Sequence, residues 1–163
     1  MTAPGRPFVP ADFTVPLELV TAEFRLEPLG PEHNAADYEA WTSSIEHIRA
    51  TPGYPDGSWP RQMTPEDNLG DLRRHAGDFA ARKGFTYTVL DPGGRVAGCV
   101  YIYPVKGEAG TAEVKSWVRA DRAELDVPLY SAVSVWLADA WPFAEVRYEA
   151  RPAAGGAAAE AGA

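Results

Sequence analysis

The segment from Phe85 to Val118 constrains the fold of this 163-residue chain more than any other. Two runs rich in β-branched and aromatic residues flank a Pro-Gly turn at 91–94. Alternating apolar residues on either side of such a turn are typical of a β-hairpin. A short loop at 106–110 then allows a third antiparallel strand at 113–118. The segment therefore predicts a three-stranded meander at the centre of a sheet.

Composition excludes several classes of function. The formal net charge of -8 argues against a broad surface for nucleic acid or anionic membranes. The one cysteine, Cys99, excludes an internal disulfide, and no cluster has metal-ligand spacing. No apolar run is long enough to span a bilayer, and the N-terminus has no signal-like apolar core. We expect a cytoplasmic protein with neither metal nor membrane partner.

Strand and helix patterns lie on both sides of the meander. Alternation predicts a first strand within 17–29 and a last strand at 145–151. Three helices are predicted from their apolar stripes and start signals. They begin near Pro31, at Thr64-Pro65 and near Leu129. The predicted order is β-α-α-β-β-β-α-β, an α+β fold in which a right-handed crossover sets the last strand parallel to 113–118.

The chain divides into three predicted regions. Residues 1–16 form a proline-rich arm, 17–151 form one domain, and 152–163 form an Ala/Gly-rich tail that we expect to be disordered. A chain of this length is most often one domain, which supports this division.

The order of elements resembles that of the GNAT superfamily of acyl-CoA-dependent N-acyltransferases. This resemblance implies a GNAT-like mixed sheet. The resemblance covers about Phe24 to Arg151. The segments behind it are Phe24-Arg-Leu-Glu-Pro-Leu29, Thr64-Pro-Glu-Asp67, Phe85-Thr-Tyr-Thr-Val-Leu-Asp91, Gly98-Cys-Val-Tyr-Ile-Tyr103 and Ala112-Glu-Val-Lys-Ser-Trp-Val118. The resemblance implies acetyl-CoA as co-substrate and a small amine as acceptor.

The resemblance also implies a cofactor-binding strand edge at Ser116, Trp117 and Val118, where pantetheine amides would pair with the backbone. The family's glycine-rich phosphate loop would fall at 119–129, where this chain has no glycine. Arg119 and Arg122 are therefore the candidate phosphate ligands. The alternative for both arginines is a solvated surface turn.

Catalytic and acceptor residues follow from the same resemblance. Glu113 is the candidate base that deprotonates the amine, and burial beside apolar walls would suit that role. His47, Tyr54 and Trp59 lie on the side where acceptors enter in this family. The alternatives are a charge-paired strand-edge glutamate, a surface or capping histidine and core aromatics. His75 is predicted to lie on the surface of its helix.

Two functions stay open at the level of sequence. The first is a GNAT-like N-acetyltransferase that moves an acetyl group from acetyl-CoA to a small amine. The second is a non-catalytic GNAT-fold module that binds a ligand or a protein and has lost the CoA site. Relative to the family, the fold is expected to be truncated at the C-terminus, so that either a partner chain, as in a homodimer, completes the sheet or the last hairpin is absent. A third interpretation is that the chain has an unrelated α+β fold.

Overall fold

A six-stranded mixed sheet is the frame of the protein, and its strand order follows the chain. The structure, a computed structural model, describes residues 7–54 and 59–151. The strands are β1 (Leu19–Val20), β2 (Arg25–Pro28), β3 (Phe85–Leu90), β4 (Val96–Val105), β5 (Glu108–Val118) and β6 (Glu145–Tyr148). Strands β1 to β5 pair antiparallel, and β6 pairs parallel to β5. The predicted meander and the predicted parallel last strand are both confirmed.

Four α-helices cover the sheet. They are α1 (Asn34–Thr42), α2 (Ile45–Arg49), α3 (Pro65–Ala80) and α4 (Asp126–Ala140), with short 3-10 helices at Pro31–His33 and Ala120–Leu125. The predicted start of α3 is confirmed, because the Thr64 hydroxyl accepts a hydrogen bond from the Asp67 N–H at 3.0 Å. Within the described ranges, no helix is both long enough and apolar enough to cross a bilayer.

The predicted order of elements is confirmed, with three corrections of detail. The first strand is interrupted, because the Thr21 hydroxyl accepts hydrogen bonds from the Glu23 and Phe24 N–H groups and turns the chain between β1 and β2. The first helix breaks between Thr42 and Ile45 into α1 and α2. The loop expected at 106–110 is shorter, since β5 begins at Glu108.

Strand alternation divides the sheet into two buried faces. On one face, Tyr87, Val100 and Val114 belong to the same core cluster as the buried residues of α4; we call this the α4 face. On the other, Cys99 and Trp117 belong to the cluster that holds the buried residues of α1 and α3; we call this the α3 face. Side chains on successive strand residues point to opposite faces, so β5 presents residues to both faces.

The arm before β1 packs on the α4 face. Phe8 stacks on Phe143 with ring centroids 4.9 Å apart, and Val9 is buried. The Arg82 guanidinium donates to the Pro10 and Phe13 carbonyl oxygens at 2.6 and 2.9 Å. Residues 1–6 of the predicted arm and the predicted tail at 152–163 lie outside the described residues, and the three-part division stays a prediction.

The end of β6 sets up the site. The parallel pairing of β5 and β6 covers only Thr111↔Glu145 to Val114↔Tyr148. Strand β5 continues to Val118, past the last residue of β6. A wedge therefore opens beside residues 115–118, on the side of β5 where a further strand would otherwise pair.

The β4–β5 pair should depend on Gly98. A Cβ at this position would lie 2.2 Å from the Trp117 carbonyl oxygen, which is backbone and has little freedom to move. We expect Gly98→Ala to lower the free energy of unfolding in urea by about 3 kcal/mol, the upper end for overpacking. Gly70→Ala is the matched control, since nothing lies within 4 Å of its Cβ position in α3, and it should raise stability by up to about 1 kcal/mol. Equal effects of the two substitutions would contradict the close approach of β4 to β5.

Candidate functional site

The wedge beside β5 is filled by a side chain of the protein itself. The Arg151 guanidinium donates from Nη2 to the Ser116 carbonyl oxygen at 2.8 Å and from Nε to the Asp126 carboxylate at 2.9 Å. Its planar group also lies over the rings of Tyr130 and Tyr148, at 6.0 and 5.7 Å from their centroids. The Arg151 side chain is only 1% exposed. We call this arrangement the arginine clamp.

A second contact closes the same space. The hydroxyl groups of Ser116 and Tyr148 lie 2.5 Å apart, which joins β5 to the last residue of β6 across the wedge. The Ser116 side chain is fully buried. The backbone carbonyl and the side chain of Ser116 are thus both engaged by groups of this chain.

The start of α4 is also occupied. Asp126 lies in the first turn of α4, where the helix dipole favours an anion, and its carboxylate is held by Arg151. Pro128, two residues later, has no N–H to offer. An external phosphate at this helix start would meet a carboxylate already in place.

The two arginines predicted as phosphate ligands lie in other ion pairs. The Arg119 guanidinium, 3% exposed, donates to both carboxylate oxygens of Glu39 at 2.7 and 2.9 Å and to Asp121 at 2.9 Å. The hydrogen bonds that Arg119 donates to Glu39 raise the pKa of Arg119. Arg122 donates to Asp91 at 2.9 Å and to Glu124 at 2.8 Å. This placement does not support the predicted phosphate role, because each of the two arginines already pairs with two carboxylates.

The three residues of the predicted pantetheine edge also have partners in the protein. Ser116 faces the clamp, as described above. Trp117 is buried on the α3 face, where its indole N–H donates to the Tyr101 hydroxyl at 3.0 Å. Val118 is buried in the core of the α4 face. The residues of the wedge therefore do not fit a pantetheine arm in the described arrangement, and these cofactor roles stay predictions from sequence.

Glu113 lies in an open cleft of about 940 Å³ between β5, β6 and the end of α2. Its register partner on β6 is Arg147, and Lys115 lines the same cleft. We expected the Glu113 carboxylate to be buried beside apolar walls, but the residue is exposed. Within 7–54 and 59–151 it makes no ion pair, so the charge-paired alternative is not observed either. Its role as a base stays a prediction.

A second cavity, of about 270 Å³, lies between the α3 face of the sheet and α1 and α3. We call it the α3 cavity. Tyr54 and Trp59, both predicted as acceptor residues, line it with ring centroids 6.1 Å apart. The predicted His47 lies on α2 and does not line it. The structure thus brings two of the three predicted acceptor residues together.

Asp37 is a buried acid of the α3 cavity that the sequence analysis missed, and it is 4% exposed. Its carboxylate accepts a hydrogen bond from Asn68 at 3.1 Å, and Asn68 in turn accepts from the Trp41 indole at 3.0 Å. Burial raises the pKa of Asp37 to about 6, although the Asn68 hydrogen bond opposes this shift. Its spacing of four from Trp41 placed it on the apolar face of α1, and that was the available signal.

His75 also lines the α3 cavity, so the prediction that it is a surface residue is wrong. Its Nδ1 lies 2.9 Å from the Tyr103 hydroxyl and 3.1 Å from the Thr86 hydroxyl. Burial lowers the pKa of His75 to about 4, so the imidazole is neutral at pH 7. Its spacing from Leu72 and Phe79, three and four residues away, already placed it on the buried stripe of α3.

Comparison with solved structures identifies the fold. The ribosomal-protein-S5-alanine acetyltransferase from Vibrio fischeri superposes with a TM-score of 0.59 at 13% identity, covering 75% of this chain and 67% of that one. RimL, a ribosomal L7/L12 α-N-protein acetyltransferase in complex with coenzyme A, gives 0.58 at 10% identity, with 74% and 66% covered. The microcin C7 self-immunity acetyltransferase MccE, in complex with acetyl-CoA and AMP, gives 0.59 at 14% identity, with 77% and 67% covered.

This chain therefore spans about two thirds of the length of these proteins. Sequence comparison adds nothing further, because neither a model of a known family nor a curated protein matches the chain. At identities of 10–14%, the likeness concerns the fold alone.

Protonation of Asp37 and protonation of His75, both in the α3 cavity, should have opposite effects on the free energy of unfolding as pH falls. Asp37 binds its proton more tightly when folded, with a pKa of about 6 against 3.8, so its protonation adds stability as pH falls from 6 to 4. His75 binds its proton less tightly when folded, with a pKa of about 4 against 6.5, so stability is lost over nearly the same window. Each effect is worth about 3 kcal/mol when complete.

We therefore expect Asp37→Asn to lose up to about 3 kcal/mol more stability than wild type between pH 7 and pH 4, and His75→Asn to lose less than wild type. Urea unfolding at a series of pH values measures both. Asp139→Asn, an exposed change on α4, should follow the wild-type curve. Parallel curves for all four proteins would contradict the burial of the two groups.

Proposed function

We propose that this chain, which has the fold of the GNAT superfamily, is a non-catalytic module that binds a small ligand and does not use acyl-CoA. The observation that carries the proposal is the arginine clamp. Arg151 holds the Ser116 carbonyl on the strand edge where the family's cofactor would pair, and it holds Asp126 at the helix start where the phosphates would lie.

The free energy needed to displace the arginine clamp supports the proposal that the chain does not use acyl-CoA. A pantetheine amide that pairs with Ser116 would have to displace Arg151, which is buried and hydrogen-bonded to a carboxylate. Breaking a buried ion pair by removing one partner costs about 3–5 kcal/mol. At about 1.4 kcal/mol for each factor of ten, that would weaken binding by roughly two to three and a half orders of magnitude.

The charges at the start of α4 support the same proposal. If Arg151 left, the Asp126 carboxylate would remain beside any incoming phosphate. Two like charges 4 Å apart repel by about 4 kcal/mol at an effective dielectric of 20, whereas a helix N-terminus contributes about 0.3–1 kcal/mol to an anion. The repulsion is the larger effect, and the donors of Arg119 and Arg122 are engaged with other carboxylates.

A second candidate is the N-acetyltransferase that moves an acetyl group from acetyl-CoA to a small amine. It is favoured by the divergence of β5 and β6 after Val114 and Tyr148 and by the exposure of Glu113 in the adjoining cleft. The structures of RimL and MccE hold coenzyme A and acetyl-CoA, respectively. This candidate requires that Arg151 leave the wedge. A homodimer and a cytoplasmic location stay predictions from sequence.

Titration calorimetry with acetyl-CoA distinguishes the two candidates. We expect no saturable binding to the wild-type chain up to millimolar acetyl-CoA, because the clamp occupies the strand edge. Arg151→Ala tests whether the clamp is the obstacle, and Arg147→Ala is its matched control, an arginine near the same strand end whose ion pairs are exposed. Arg147→Ala should behave as wild type.

Saturable wild-type binding in the micromolar range would overturn the proposal. Transfer of an acetyl group to an amine by the wild-type chain, abolished by Glu113→Gln, would establish the second candidate in its place.

A further inference from the structure

We infer that the α3 cavity binds a small zwitterion, a molecule that carries a protonated amine and a carboxylate on an aromatic or apolar body. This assignment rests on the proposed function, because it names the chemical class of the small ligand that the module would bind.

Asp37 is the candidate partner of the amine. Its carboxylate is buried and accepts one side-chain hydrogen bond, from Asn68. Among the described residues, no lysine, arginine or histidine lies within ion-pair distance of it. A buried carboxylate without a cation is unfavourable, and with a pKa of about 6 Asp37 is mostly ionised at pH 7. A ligand ammonium would supply the missing counter-ion.

Lys115 is the candidate partner of the carboxylate. It lines the cavity, its ammonium lies 5.8 Å from the centroid of the Tyr54 ring, and it makes no ion pair in the described part of the chain. The other ionisable side chains that line the cavity add no net charge at pH 7. Arg74 pairs with Asp71 at 3.5 Å, and His75 is neutral. One unpaired negative and one unpaired positive charge therefore remain, which is the pattern that a zwitterion complements.

The Tyr54 hydroxyl is a further buried polar group beside the cavity. Tyr54 lines the cavity and is 7% exposed, and its hydroxyl has no hydrogen-bond partner in the described residues. Buried hydroxyl groups are normally hydrogen-bonded. Because the hydroxyl oxygen itself is sealed from solvent, a ligand in the cavity as described would contact the Tyr54 ring and not this oxygen.

Walls and size suit an aromatic body. Trp59 and Tyr54 form one side of the cavity, and Leu29 and Leu72 contribute apolar surface. Aromatic walls favour both stacked rings and ammonium groups. A volume of about 270 Å³ leaves room for a molecule with a single aromatic ring.

Three compounds that share a phenyl ring and differ in their charged groups test the contribution of each charge to binding. Phenylalanine carries both charges, phenethylamine only the ammonium, and 3-phenylpropionate only the carboxylate. By titration calorimetry of the full chain, we expect phenylalanine to bind most tightly, phenethylamine about 10-fold more weakly and 3-phenylpropionate at least 100-fold more weakly. The larger loss belongs to the ammonium, because Asp37 is buried and Lys115 is half-buried.

Two isosteric or near-isosteric variants assign the charges. Asp37→Asn should remove the preference of phenethylamine over 3-phenylpropionate, and Lys115→Gln should make phenylalanine and phenethylamine bind alike. Asp139→Asn, an equal change of charge on the outside of α4, should keep the wild-type ranking. If Asp37→Asn does not fold, the wild-type ranking of the three compounds decides the question.

Failure of phenylalanine to bind at 10 mM, equal affinities for the three compounds, or an unchanged ranking in folded Asp37→Asn would each overturn the assignment. The proposed function fails in a different way. If phenylalanine binds and is N-acetylated when acetyl-CoA is added, the ligand assignment stands and the non-catalytic proposal falls. If neither phenylalanine nor acetyl-CoA binds, the ligand assignment alone falls.

Discussion

The ion pair between Arg151 and Asp126 is the interaction on which the proposed function depends. A GNAT sheet parts where its parallel strand pair ends, and here that point follows Val114 and Tyr148. An empty wedge would leave strand backbone groups without partners in a buried place, which is costly. Arg151 satisfies the Ser116 carbonyl and at the same time neutralises the carboxylate at the start of α4. Residues of the chain itself therefore occupy the wedge in the described structure.

The opposite face of the sheet shows the reverse situation. On the α4 face, the buried charges have partners in the protein. In the α3 cavity, the Asp37 carboxylate is buried without a cation among the described residues. Polar groups that are buried and incompletely satisfied usually have a functional reason. The physical contrast between the two faces is why we place the ligand in the α3 cavity and not in the wedge.

The elements of the fold could be predicted from the sequence because their signals are local. Alternation in β3 and β4 and the capping hydroxyl of Thr64 act over a few residues, so the pattern alone indicates them. The break between α1 and α2 has no such signal in the apolar spacing of Trp41 and Ile45. Ser44 accepts a hydrogen bond there from the N–H of Ala120, a residue far away in the sequence.

The partners of charged residues could not be predicted in the same way. Arg119 looked free for a phosphate because its carboxylate partner, Glu39, lies 80 residues earlier in the chain. Arg151 pairs with Asp126 across the whole of α4, and no spacing rule selects that carboxylate among the others. His75 was missed for another reason: a polar residue on an apolar stripe was taken as a surface residue, although the stripe itself placed it on the buried side of the helix. Asp37, on the apolar face of α1, was not considered.

The exchange of the Arg151 Nε proton with water, measured by 15N NMR, tests the clamp most directly. We predict an Nε–H signal of Arg151 that is protected from exchange and is assigned by its loss in Arg151→Lys. This proton should exchange rapidly with water in Asp126→Asn. In the wild-type chain its signal should not change when acetyl-CoA is added in excess. An Arg151 signal that exchanges as freely as that of an exposed arginine, or that shifts on addition of acetyl-CoA, would contradict it.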